Sequence, residues 1–480
     1  MKLNVDLQKN IEEIKKNVLE NPDIKFREFV TAGGTPCVVV FIDGMTNKAE
    51  INEFVIQAVN TAEPEPKDAA EMMDIVVRSA ECEIVETLTD ALDGVLNGDC
   101  IVMMDGDARA LRCGVKQWSV RSIAEPPTST VIKGPREGFI EDIKTNLILL
   151  RRKLRSKDLK IDFLKSGKYT NTNIALAYVD GIVDESLVEE VTKQIEAIDI
   201  DGILDSSYIA KYLEKKAYSI FRQVGTSEKP DIVAAKILEG RIAIFVDGSP
   251  IVLTVPFILL EDFQSPEDYY ERNFRATLAR CLRFVGIIIA ILIPALFVSA
   301  QLFNLELIPL RFTVTVLNAV KGIPLSPALE MLFTVLIFEI LNEASIRMPK
   351  YVGMALSIVG ALVLGETAVR AGIISTPTLM IMALSAISLY TVPELTGTLS
   401  ILRIIFILLA GVMGTYGVML AALFLFVYLV DLQSFSSPYL APYAPLIKND
   451  KKDSIIKDDL KSFDYRPRSI KHQNNRRQKL

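Results

Sequence analysis

A single histidine, His472, serves all 480 residues, and it sits in a polar tail. A histidine general base or a histidine-ligated metal centre in the folded core is therefore excluded. The chain has no P-loop, no GxGxxG following a strand and no GxSxG, so phosphate cradles and nucleophile elbows have no residues to build them. Gly33-Gly34-Thr35-Pro36 precedes a strand pattern, whereas a phosphate loop would precede a helix, and it reads as a turn. An enzyme has almost nothing to stand on here, and no cofactor or metal is implied. The five cysteines (Cys37, Cys82, Cys100, Cys113, Cys281) form no CxxC pair and are odd in number, which fits a reducing compartment better than a disulfide framework. A net charge of −6 lacks the concentrated basic face that nucleic acid demands, so no nucleic-acid partner is expected. The opening MKLNVDLQKNIEEIKKN has no apolar h-region, so no cleavable signal is expected and the soluble part should stay in the cytosol.

What is present is a change of solvent along the chain. Half the residues are hydrophobic, and the mean hydropathy is +0.31. Up to about residue 280 charge and apolar residues mix as in a soluble protein; after Arg272, Arg275, Arg280 and Arg283 come apolar segments long enough to cross a bilayer. Those four arginines, with Tyr269 and Tyr270, suit a helix entering the membrane interface. Ser265-Pro266-Glu267-Asp268 is a strong start for that helix. The length exceeds one compact core, so several domains are expected. Function should lie in coupling the two halves.

The reading divides the chain into an N-terminal helix (1–27), an α/β subdomain (28–125), a connecting basic helix (126–164), a second α/β subdomain (165–265), a membrane domain (266–435) and a polar basic tail (436–480). The fold class is thus an α/β cytosolic region of two related subdomains followed by an α-helical multi-pass membrane domain. The relation between the subdomains is an internal duplication. Cys37–Gly44, a buried strand ending in Asp43-Gly44, returns as Ile174–Gly181; Leu96–Gly106 returns as Leu238–Gly248. The four Asp-Gly pairs read as tight turns rather than metal or phosphate sites, and their strands as parts of sheets covered on both faces. A helix is expected at about 137–156, with a basic end. Arg136, Arg151 and Arg152 are candidate contacts to a neighbouring subunit or to anionic headgroups.

Spans are expected at about 284–303, 327–346, 353–372, 375–393 and 404–430. Cations before the first span, in the Arg347–Lys350 loop and at Arg403 place the N-terminal region in the cytosol. Five crossings cannot also return the basic tail there. Either 404–430 turns back near Gly411, Gly414 and Gly417, or the stretch 304–326 enters the membrane, or the tail lies outside. Glu339 and Glu343 share a helix face with Arg347, and Glu366 and Arg370 repeat the four-residue spacing. Charges inside spans form either snorkelling pairs or a polar seam for ions. The 353–372 helix carries a small-residue face including Gly360 and Ala368, suited to close packing or to a pore.

Several segments resemble the spore germination protein GerA family: Gly134-Pro-Arg-Glu-Gly-Phe139, Asp201-Gly-Ile-Leu-Asp205 and Phe263–Arg272 in the first half, then Phe338–Pro349, Ser357–Gly365, Ser437–Pro442 and Arg466–Gln478. Ser345 stands where the family usually has Gly, and Glu366 where Gln is common. The resemblance implies the A subunit of a nutrient germinant receptor in the spore inner membrane. It would work with a permease-like B subunit and a lipoprotein C subunit, and form a homo-oligomeric ring in the lipid bilayer that passes cations once nutrient binds. On that footing Glu339, Glu343, Arg347, Gly360, Glu366, Ala368 and Arg370 are pore or gating candidates. The alternatives are an auxiliary stage V sporulation paralogue of the same family, and a non-conducting scaffold that clusters germination proteins.

Overall fold

The computed structural model describes residues 2–18, 21–76, 82–115, 133–347 and 365–478. Gly360, most of the expected 353–372 span and the Glu125-Pro126-Pro127 break lie outside the described residues.

The first half contains two five-stranded antiparallel sheets built to one plan. In the first unit α1 (Leu7–Asn17) leads to β1 (Ile24–Val30) and β2 (Pro36–Ile42). Short helices follow, α2 (Lys48–Glu50) and α3 (Gln57–Asn60) around a π turn, then α4 (Ala69–Val76). The unit ends with β3 (Cys82–Val85), α5 (Leu88–Leu96), β4 (Cys100–Met104) and β5 (Ala110–Cys113). The second unit begins with α6 (Ile143–Lys153), β6 (Leu159–Ser166) and β7 (Thr172–Val179). It continues with α7 (Glu185–Glu196), α8 (Ser206–Leu213), β8 (Gly225–Ser227), α9 (Pro230–Leu238), β9 (Ile242–Val246) and β10 (Val252–Val255). The strand orders are β1-β2-β4-β5-β3 and β6-β7-β9-β10-β8, the same path twice.

Alternation along the central strands explains their unbroken apolar sequences. Val38, Val40 and Ile42 face α1 and α5, while Cys37, Val39 and Phe41 face the opposite layer around Val55 and Met72. Ala175 and Ala177 likewise face α6 and α9, and Ile174 and Leu176 face α7 and α8. Each large apolar side chain so covered contributes about 1.5–3 kcal/mol. The glycines of all four Asp-Gly pairs have φ between 71° and 95°, as tight turns require.

The duplication starts earlier than the strand patterns indicate, because the helices before them belong to it. Asn10 donates to Asn4 O (2.7 Å) and accepts from Asn4 N–H; Asn146 donates to Ile140 O (2.5 Å) and accepts from Ile140 N–H. Asp105 and Asp247 accept the first N–H of α1 and α6 respectively. These contacts also shorten the expected 137–156 helix. Asp142 caps α6, and Phe139 N–H is spent on Glu228 O, so residues before 142 run non-helically.

The single helix expected from Ser265 is two. α10 (Glu267–Tyr270) stops, Glu271 and Arg272 are extended, and α11 (Asn273–Leu302) starts afresh. The turn lets Asp268 face Arg280 and Arg283 on α11. Next come α12 (Leu310–Val320), α13 (Pro327–Arg347), a helical stretch at 365–370, α14 (Thr376–Leu389) and α15 (Thr396–Asp431). Two described helices, Asn273–Leu302 and Pro393–Asp431, are long and apolar enough to cross a membrane. At 11 residues α12 reaches only about 16 Å.

α15 is a hairpin of two helical arms, not a rod. Gly414 has φ 62° and ψ −146° inside it. A straight 36-residue helix would separate its ends by about 54 Å. Instead both ends meet the same stretch of the α/β region. Thr398 Oγ1 donates to Ile220 O (2.6 Å), while Tyr428 OH donates to Ser219 Oγ (2.8 Å) and Asp431 pairs with Lys216 (2.5 Å). At the bend Thr415 Oγ1 lies 2.8 Å from Ser299 Oγ, near the far end of α11. The chain then returns to the α/β region, where β11 (Gln433–Ser434) and β12 (Ser437–Pro438) pair. The tail stays there: Gln473 N–H donates to Ile182 O, and Lys457 N–H to Thr277 Oγ1 at the base of α11.

Candidate functional site

Two charged constellations stand out, one inside the apolar bundle and one at its junction with the second α/β unit. In the bundle, Arg403 was expected as a loop cation. Because α15 begins at Thr396, it lies two turns inside the helix and is 1% exposed. Its Nη2 lies 2.6 Å from Glu339 Oε1 on α13, and its Nη1 donates to Ser385 Oγ on α14 (3.2 Å). Ser385 Oγ in turn donates to Ala290 O on α11 (2.7 Å), so one polar chain ties four helices. Glu339 itself is half-buried; a fully buried acid, Glu330, accepts Ser375 N–H at the start of α14 (2.6 Å). Among the described residues its Oε2 and Arg403 Nε have no partner. Such groups are costly in apolar surroundings unless paired.

The other bundle candidates fall elsewhere. Glu343 pairs with Arg347, and Glu366 with Arg370, each at 2.6 Å, four residues apart and exposed. Ala368 is half-buried, and its carbonyl accepts Ile373 N–H where the helical stretch ends. The spacing found these two local pairs. It did not find Arg403, Ser385 or Glu330, whose partners are distant in sequence, although Glu330 is a third acid in the expected 327–346 span.

At the junction Arg222 pairs with fully buried Asp262, reaches Glu394 just before α15 (3.0 Å), and lies over the Phe257 ring (5.0 Å). Beside it Arg241 pairs with Glu261 and Glu239, and Lys236 lies 2.7 Å from Glu261. Burial pushes the Asp262 carboxyl up to about 6 against the pull of Arg222. Burial also acts to raise Glu261, but Arg241 and Lys236 outweigh it and lower the group to about 2.

The four arginines expected at a membrane entry divide. Arg280 is 1% exposed and pairs with Asp268 (2.9 Å) and with Asp453 of the tail (2.9 Å), with the Tyr269 ring alongside. Arg283 pairs with Asp268 (2.8 Å), Arg275 pairs with Glu271 (3.5 Å), and Arg272 occupies the position before α11. Of the assembly candidates, Arg151 is buried in a two-bond pair with Asp23 of the first unit (2.6 and 3.0 Å). Arg152 lies 3.5 Å from Glu137, and Arg136 is exposed. Among the described residues no group of three or more His, Cys, Asp or Glu is placed to hold a metal ion.

The arrangement holds paired charges within the apolar bundle and at its junction with the second α/β unit. Residues 12–469 match the model of the Bacillus/Clostridium GerA spore germination protein family. The chain is 36% identical over 479 residues to spore germination protein KA of Bacillus subtilis (strain 168), covering 98% of this chain and 88% of that protein. It is 34% identical over 462 residues to spore germination protein GerLA of Bacillus cereus, covering 94% of each. Among solved structures, the N-terminal domain of the A subunit of the Bacillus megaterium spore germinant receptor GerK3 is 29% identical, with a TM-score of 0.43, covering 54% of this chain and 98% of that one. This chain belongs to the GerA spore germination protein family.

Proposed function

We propose that the chain is the A subunit of a spore nutrient-germinant receptor, a multi-pass inner-membrane protein that couples nutrient sensing to cation release. The observation that carries the reading is the junction. Arg222 of the α/β region holds both Asp262 and Glu394, and the other end of the same hairpin is held by Lys216 and Ser219. A movement of the second α/β unit would thereby be delivered to α15, whose first arm carries buried Arg403, paired with half-buried Glu339.

The doubled-back α15 also supports a topology with both ends in the cytosol. Both ends of α15 meet the same stretch of the α/β region, so the hairpin returns the tail to the side of the N-terminal region. The chain would assemble as a homo-oligomer with permease-like B and lipoprotein C subunits, and the bundle acids would line or gate the ion path. Potassium release from spores carrying Glu339→Gln or Ala368→Leu, at matched protein levels after nutrient addition, tests this. Altered or spontaneous release supports the reading. Unchanged release moves conduction elsewhere and leaves a scaffold; loss of amplification without loss of nutrient response would fit the stage V paralogue.

A further inference from the structure

Between the second α/β unit and the tail lies a cavity of about 150 Å³ that the coupling role does not use. One wall is Glu239, Arg241, Ile258 and Gln264 of the α/β unit; the other is tail, including Asp453, Arg466, Ser469 and Arg477. Space of this size takes a molecule of roughly benzene dimensions, well beyond the ~30 Å³ share of one water.

The charges around it are balanced, but the groups left without partners are mainly donors. Among the described residues, Ser469 (5% exposed) has no partner for its Oγ, and Arg241 (3% exposed) has none for its Nε. Arg466, 7% exposed, gives its bonds only to backbone carbonyls of Leu238, Asn474 and Arg476, and has no carboxylate partner among the described residues. Arg477 is exposed and makes no ion pair among the described residues; it sits close enough to repel Arg466 and to attract Glu239.

Three of the four lining acids have engaged carboxylates. The Asp450 carboxylate accepts the N–H groups of Arg468 and Ser469, while the N–H groups of Arg477 and Gln478 go to the backbone carbonyl of Asp464. Asp453 pairs with Arg280, and Glu239 with Arg241. Buried donors without acceptors cost about 1–3 kcal/mol each, and an oxyanion satisfies several at once.

We infer that this cavity is a binding site for one small oxyanion, a phosphate or a short carboxylate, held by Ser469, Arg466 and Arg477. Because Asp453 lines the same cavity and pairs with Arg280 of α11, an occupant fastens the tail between the α/β unit and the base of the bundle. The site does not depend on the conduction proposal.

The test is calorimetric titration of the full-length protein in nanodiscs with sodium phosphate and, separately, sodium succinate, at ionic strength held constant with chloride. Saturable one-to-one binding of either anion is expected, and which one binds separates the two sources. Arg477→Ala should weaken it on the order of tenfold, and Ser469→Ala by a few-fold. Arg466 is left intact, since it holds three backbone carbonyls and its loss would unfold the tail. No heat beyond the chloride control for either anion, or unchanged binding in both variants, would overturn the inference.

Discussion

Arg403 and Glu339, 64 residues apart in sequence, form a 2.6 Å ion pair at the centre of the helical bundle, and the arginine is almost wholly buried. Removing one partner from such a pair leaves an uncompensated charge, which typically costs about 3–5 kcal/mol, whereas an apolar replacement of both is often neutral. Glu339→Leu and Arg403→Met should therefore each lower the melting temperature of the purified protein, and the double variant should recover most of the loss. Additive losses in the double variant would mean that the two side chains are not coupled.

Gly414 turns the last long helix back on itself. Its φ of 62° with ψ of −146° is essentially reserved for glycine, and an added Cβ would come 2.8 Å from the Phe303 ring. Gly414→Ala should destabilise by about 1–3 kcal/mol for the backbone alone. Trimming Phe303 to Ala should not rescue it fully, because the backbone term remains. Gly397, whose Cβ would meet nothing within 4 Å, is the control. There the same change should be neutral or slightly stabilising. Thermal melts of the three variants decide the point.

Glu261 supplies an acid-sensitive element at the junction. Its folded pKa is lowered to about 2 from 4.5. A lowered carboxylate contributes stability that is present above 4.5 and lost as pH falls through the folded value. The window is therefore about pH 4.5 down to 2, and the contribution is on the order of 3 kcal/mol. Melting temperature against pH should fall more steeply in this window for the wild type than for Glu261→Gln. Parallel curves would show that Glu261 is not the group responsible.

Local sequence grammar revealed what local physics decides. The recurring Asp-Gly turns announced two related sheets, and four-residue spacing announced Glu343–Arg347 and Glu366–Arg370. The matched bonding of Asn10 and Asn146 extends the repeat to helices whose sequences share little. Whatever depends on distant partners stayed hidden. Arg280 resembles an interface cation until Asp453, 173 residues later, closes over it. The direction of 404–430 was open because glycines allow a bend without requiring one. The contacts of Ser219 and Ile220 with opposite ends of α15 settle the bend.

Arg222 is one of the residues through which the second α/β unit grips the bundle, and its replacement should separate folding from the proposed coupling. Arg222→Lys keeps the charge but loses the planar fork that serves Asp262 and Glu394 together. Arg222→Ala additionally strands fully buried Asp262, which removal of a partner makes costly. The lysine variant should accumulate to normal levels in spores yet respond to nutrient more slowly or at higher concentration. The alanine variant should also be less abundant. Adding Asp262→Asn to the alanine variant removes the stranded charge and should restore abundance without restoring the response. If the double variant responds normally, the grip of Arg222 on Glu394 carries no signal, and coupling must run through Lys216 and Asp431 at the other end of the hairpin.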